Sequence, residues 1–276
     1  MAKALDRRYA LAVALVWTLL TGCRGSLPLD TPGKIVPATS SGNVEYVYSA
    51  VDTLFARYVD ENSGLVDYEG IHADPLLRAV LDSIQAFDMS VLRTPADSLA
   101  FWINAYNVTV IYYLRVDFGM ERQDRADFAL FRTPYAIAGE LITLDDLEKF
   151  NPERIKKFNE PRTHFALVCA ALSCPPLLNR AYRGEILYRQ LDERTGSFIN
   201  DTDFNPLPRA SSLFFWYAAD FAGFVRHTPS SSLLTTLEQG TVRDFIESYL
   251  VDLSPLASGA ELEVVDYDWT VNDWSR

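Results

Sequence analysis

The chain has 276 residues, 49% hydrophobic and 13% aromatic, which is enough apolar material for one large domain. Its net charge is −12 and no run of Lys or Arg offsets it, so no nucleic-acid partner is expected. The three histidines, His72, His164 and His227, lack HxxxH or paired CxxC spacing, so neither a metal nor another cofactor is expected.

At the N-terminus, Lys3, Arg7 and Arg8 precede the apolar run YALAVALVWTLL, Tyr9 to Leu20. Such a run is short of the about 20 residues that span a bilayer and has the length of a signal-peptide core. Leu20-Thr21-Gly22-Cys23 follows directly and resembles a bacterial lipobox. Residues 1–22 are therefore expected to be a lipoprotein signal peptide, with Cys23 as the lipidated first residue of the mature chain. Acyl chains at about 0.8 kcal/mol per buried methylene would hold it on a membrane. Arg24, rather than an aspartate, follows the cysteine and resembles an outer-membrane sorting signal, so the expected location is the periplasmic face of the outer membrane. Removing residues 1–22 takes away three basic residues and one acid, which makes the chain more acidic still. Attachment must then come from the lipid and not from a basic patch.

Residues 23–43 are rich in Pro, Gly, Ser and Thr and read as a flexible tether. A single globular domain is expected over residues 44–276. Apolar residues at threes and fours predict helices over Val44 to Asp60 and His72 to Phe87. Thr94-Pro95-Ala96-Asp97 supplies an N-cap, a first-turn proline and an acid three residues after the cap. The helix it starts runs through FWINAYNVTVIYYLRV, Phe101 to Val116, apolar nearly all round and hence central. Thr143-Leu144-Asp145-Asp146 is a similar start signal. Tyr182 to Asn200, Leu213 to Phe224 and Thr241 to Leu250 read as further helices. Strands are expected at Tyr135 to Ile142, Thr163 to Ala170 and Leu262 to Trp269. The sum is an α+β domain, mostly helical, with a small sheet.

The stretch HFALVCAALSCPP, residues 164 to 176, concentrates the chemistry. On a strand, His164 and Cys169 fall on opposite faces, which leaves Cys174, in the proline turn beyond, as the better partner for His164. Three readings of Cys169 and Cys174 stand open: a disulfide, two buried reduced thiols, or a nucleophile at Cys174 with His164 as base. In the last, Asp266 or Asp268, or Asn104 or Asn107 on the central helix, would orient the imidazole. Asn104 and Asn107 lie three apart on an otherwise apolar helix, and a buried amide without partners costs about 1–3 kcal/mol. They either pin a neighbouring segment or line a polar pocket with His164 and Cys174. Asp145-Asp146 and Asp201-Asp203 read as a helix start and a turn rather than a calcium site.

Five of these stretches occur in a fixed order: FWINAYNVTVIYYL, AIAGELITLDDLE, HFALVCAALSCPPLLNRAY with QLDERTGSFIN, LFFWYAADF and DYDWTVND. Together, from about Ala100 to Asp273, they resemble the family called domain of unknown function 547. The resemblance implies a family identity and no activity, and its bacterial members look like secreted or lipid-anchored proteins. Asn104, Asn107, His164, Cys169, Cys174, Asp268 and Trp269 match the family's pattern and are the candidate site residues. The main expectation is a non-enzymatic binding or scaffolding module, anchored through Cys23, with a protein or small-molecule partner. The alternative is a Cys-His hydrolase or acyltransferase acting on amide or thioester bonds, with Cys174, His164 and Asp268 in the catalytic roles. For that alternative the fold analogy is papain-like or transglutaminase-like.

Overall fold

A computed structural model describes residues 43–60, 62–118, 129–221, 241–257 and 260–275, with the side chains of 116–118 excepted. The expected signal peptide, Cys23, the tether up to residue 42, and His227 lie outside the described residues. All the described residues belong to the unit Pro37–Arg276.

Helix α1 (Val44–Tyr58) starts at Asn43, whose side chain accepts the Tyr46 N–H, and buries the stripe Val47, Val51, Leu54 and Phe55. Helix α2 (Tyr68–Ala73) is capped by Asp67, and α3 (Pro75–Gln85) by Asp74 with proline in its first turn. Helix α4 (Pro95–Phe118) begins in the expected reciprocal box, Thr94 and Asp97 each bonding the other's backbone N–H. Every residue from Leu99 to Ile111 is buried, so α4 is the central element. Among the described residues no helix is long and apolar enough to cross a membrane.

Helix α5 (Ala129–Arg132) leads into a hairpin of β1 (Pro134–Ile137) and β2 (Glu140–Thr143), paired antiparallel with Tyr135 opposite Ile142. The expected strand Tyr135 to Ile142 is thus two strands. Ala138 and Gly139 at the turn both take positive φ, 50° and 79°, as a tight two-residue hairpin requires. Helix α6 (Leu187–Asn200) is followed by strand β3 (Arg209–Ser211), helix α7 (Ser212–Trp216), α8 (Ala218–Phe221) and α9 (Val242–Glu247). Strand β4 (Glu263–Val265) pairs parallel with β3, Ala210 opposite Val264. The architecture is α+β and mostly helical, with two two-stranded sheets among the described residues.

The core divides into two apolar clusters. The larger surrounds α4 and takes in α1, α3 and the hairpin. The smaller centres on Phe165, whose ring meets Phe198, Phe214, Phe221 and Phe245 at centroid distances of 5.4 to 6.2 Å. Aromatic pairs at this separation add about 0.5–1.5 kcal/mol each beyond area burial.

Thr163 to Ala170 is not a strand. Glu160 accepts the Arg162 N–H, Pro161 opens a 3-10 turn over Pro161–Phe165, and irregular chain follows. The nearest bridge is Ala171 with Val271, and residues 165–168 have no neighbouring strand to bond among the described residues. Asn107 replaces one: its Nδ2 donates to the Ala166 carbonyl at 2.9 Å and its Oδ1 accepts the Val168 N–H at 3.0 Å. The helix expected from Tyr182 begins at Leu187, after a 3-10 turn at Gly184–Ile186, and the one expected from Leu213 is split at Tyr217 into α7 and α8.

Candidate functional site

A cavity of about 410 Å³ opens where the two apolar clusters meet, with Tyr106, Leu167 and Cys174 from one and Leu213 from the other on its wall. Its lining comes from six places in the chain: α4, α5, the Thr143 turn, the His164 segment, the α7–α8 break and the C-terminal segment. Each wall has its own chemistry.

The first wall is polar. Thr143 caps the turn it begins, bonding the Asp146 N–H, and the chain then makes a π-helical turn over Asp146–Phe150. Asp145, Glu148 and Lys149 all reach the cavity from this turn. The Glu148 carboxylate is nearly enclosed, 7% exposed, and accepts the Tyr217 hydroxyl at 2.6 Å and the Tyr106 hydroxyl at 3.1 Å. Burial, followed by the Glu148 charge, pushes both phenols far above their ordinary range, so both are fixed donors. Lys149 Nζ lies 3.5 Å from Asp145 and 3.6 Å from Glu148.

The second wall carries His164, which the 3-10 turn holds in place. Its Nε2 lies 2.9 Å from Asp220 Oδ2, and its ring stacks on Tyr217 at 3.6 Å. The hydrogen bond from His164 is the largest cause holding the Asp220 carboxyl below its ordinary value, so Asp220 stays ionised and accepts. His164 Nδ1 is buried and has no hydrogen-bond partner among the described residues.

The third wall contains sulfur and aromatic rings. Cys169 and Cys174 are joined in a disulfide. The Cys169 N–H points at Cys174 Sγ at 2.9 Å, and the Tyr267 hydroxyl lies 3.1 Å from Cys174 Sγ and 3.2 Å from Cys169 Sγ. Burial raises the Tyr267 phenol well above its ordinary value. Over this group Trp216, Tyr267 and Trp269 form an aromatic cluster with ring centroids 4.5 to 5.7 Å apart. Trp216 is half exposed and presents its ring at the rim.

Several expected site residues stand elsewhere. His164, Cys169, Cys174 and Trp269 do line the cavity, and His164 and Cys169 share it because no strand separates them onto opposite faces. Asn104 and Asn107 do not line it. Each spends both ends of its amide on backbone, Asn104 on the N–H and carbonyl of Tyr182, and Asn107 on Ala166 and Val168. The partner of His164 is Asp220 and not Asp268. Asp268 is exposed, accepts the Thr270 N–H, and lines a second cavity of about 230 Å³ with Ser173, Asp203 and Asp266. Cys174 is bonded to Cys169, so it offers no free nucleophile to His164 while that bond stands. Reading the residues one by one missed Glu148, Tyr106, Trp216, Tyr217, Asp220 and Tyr267. Four of the six lie in LFFWYAADF and DYDWTVND, stretches whose aromatic and acidic residues recur too closely for a simple apolar helix or strand. Among the described residues no three His, Cys, Asp or Glu side chains converge as a metal site.

Fold and cavity together define a mostly helical α+β domain in which an aromatic-walled cavity stands over a disulfide. The family model described as "Protein of unknown function, DUF547" matches residues 92–199, and the chain is similar to that family over this stretch. The matched stretch holds α4, the polar turn, His164 and both cysteines, while Trp216, Tyr217, Asp220, Tyr267 and Trp269 lie beyond it. No curated protein and no solved structure matches the chain.

Proposed function

We propose that this chain is a lipid-anchored envelope protein whose domain binds a small ligand in the cavity at the seam of the two clusters. The observation that carries the binding reading is the cavity's division of labour. A half-exposed Trp216 ring backed by Tyr267 and Trp269 offers a flat apolar platform. On the same cavity, Asp145 and Glu148 offer acceptors, and Arg132 and Lys149 offer donors. Ligand cavities of about 300–1,000 Å³ typically pair apolar walls with a few placed polar groups. The matching ligand has a flat C–H face and an edge of hydroxyls, the chemistry of a sugar ring. Its C–H groups would meet the indole and its hydroxyls the carboxylates.

Tryptophan fluorescence tests this on the purified chain with a panel of neutral mono- and oligosaccharides. A saturable change from at least one of them is expected. No saturable response from any of them would contradict the sugar reading.

The anchor rests on the Leu20-Thr21-Gly22-Cys23 sequence. Replacing Cys23→Ser is expected to move the protein from the membrane to the soluble envelope fraction. A protein that stayed membrane-bound would contradict lipidation at Cys23.

A further inference from the structure

Cys174 is 5% exposed and belongs to the larger apolar cluster, as a structural staple would, but the disulfide also faces polar groups. Here both cysteines line an open cavity, and both sulfurs are within hydrogen-bond reach of one phenol, that of Tyr267. Cys174 Sγ has in addition a backbone donor, the Cys169 N–H. Two donors on one sulfur favour its anionic form, so the surroundings are suited to a Cys174 thiolate. Among the described residues Cys169 Sγ has the phenol alone, and Cys169 is the less buried of the two. The charged groups on the same cavity are Arg132 and Lys149 against Asp145 and Glu148, with the His164 imidazole beside them.

We propose that Cys169–Cys174 is a redox-active disulfide that oxidises a dithiol entering through the cavity. A thiolate of the substrate attacks Cys169 Sγ. A new sulfur–sulfur bond forms, the Cys169–Cys174 bond breaks, and its electron pair leaves on Cys174 Sγ. The Cys169 N–H and the Tyr267 hydroxyl receive that charge, and a stabilised leaving thiolate leaves faster. The second substrate thiolate then attacks the substrate's own sulfur in the mixed disulfide and expels Cys169. The two protons released by the substrate thiols end on Cys169 and Cys174. The substrate becomes a disulfide and the protein a dithiol, a two-electron exchange that needs no further reactant for one turnover. This activity does not depend on sugar binding, and each reading stands or falls by its own test.

The test uses the full chain, oxidised, with dithiothreitol and with a reduced two-cysteine peptide as probes. The reaction is quenched with an alkylating reagent and read by intact mass. The bond is expected to open under native conditions, with tryptophan fluorescence showing that the fold persists. Tyr267→Phe keeps the ring and removes the hydroxyl, and is expected to slow opening by about tenfold. A one-cysteine peptide, which has no second thiolate to resolve the mixed disulfide, is expected to be caught on Cys169 of the oxidised wild type, with Cys174 released as the thiol that is alkylated. In the reduced wild type, alkylation is expected to reach Cys174 first and at lower pH than Cys169. Opening that requires denaturant, an unchanged rate in Tyr267→Phe, or equal labelling of the two cysteines at every pH would each overturn the proposal.

Discussion

At the scale of single residues, side-chain amides do work that strands usually do. Asn107 presents a donor and an acceptor side by side, as a peptide group does, and so bonds the irregular chain at Ala166 and Val168. Asn104 does the same for Tyr182, Gln190 for Ala181 and Arg183, and Asn205 for Phe198 and Ser211. Replacing Asn107→Ala would leave a buried carbonyl and a buried N–H unpaired. The expected loss is about 2–4 kcal/mol of unfolding free energy, measured by urea titration, because each unmet group costs about 1–3 kcal/mol. A loss below about 0.5 kcal/mol would show that the segment does not depend on this amide. That these asparagines need partners was legible in the sequence, since two amides cannot sit unpaired in an apolar helix. Which backbone they bond was not, because that depends on a chain segment about 60 residues away.

At the scale of elements, capping signals were read best and apolar runs worst. Thr94 and Asp97 form the expected box, and Thr143 caps the turn that carries Glu148. A capping pattern is local, so its physics lies within four residues. Thr163 to Ala170 has the apolar content of a strand, and a strand was expected there. Whether such a run forms a strand depends on a neighbour to pair with. Here its middle meets Asn107 of helix α4, while the C-terminal segment bonds only its end, the Asn272 N–H donating to the Ala170 carbonyl. The segment is held by Arg162, fully buried and bound through two nitrogens to Glu160 at 2.8 and 2.6 Å. After Cys174, the Pro175-Pro176 turn presses on Gly64, which has φ of 69°. A Cβ at Gly64 would lie 2.4 Å from the Pro176 Cα, backbone that cannot step aside. Gly64→Ala combines a disfavoured φ with overpacking and is expected to lower stability by about 2–4 kcal/mol. A melting temperature within a degree or two of wild type would contradict this contact.

At the scale of the whole molecule, the site exists because two apolar clusters meet along a seam filled partly by polar groups. The α+β class and the dominance of α4 were legible from composition and periodicity. The cavity was not, because its walls come from six separated segments and its acids resemble ordinary surface residues. Titratable groups spread over the molecule set a direction for the pH dependence of its stability. Burial holds His72 below its ordinary value of about 6.5, so the folded state resists its protonation and stability falls as pH drops below that value. Asp220, Asp60, Asp244 and Asp252 are held below their ordinary values by hydrogen bonds. Their contribution is complete above about pH 4 and is lost as pH falls toward their lowered values. The urea midpoint is therefore expected to decline modestly from pH 7 to about 5 and more steeply below about 4. A midpoint that rose on acidification from neutral pH would contradict these assignments.

The measurement that bears most directly on the cavity as a binding site is a paired titration with the best sugar of the panel. Wild type would be compared with Trp216→Ala and Glu148→Gln, and melting curves would confirm that each variant is folded. If Trp216 is the platform and Glu148 the polar anchor, each substitution should weaken affinity by about tenfold or more, the equivalent of about 1.4 kcal/mol. Unchanged affinity in both folded variants would place the ligand elsewhere on the molecule and remove the cavity from the function.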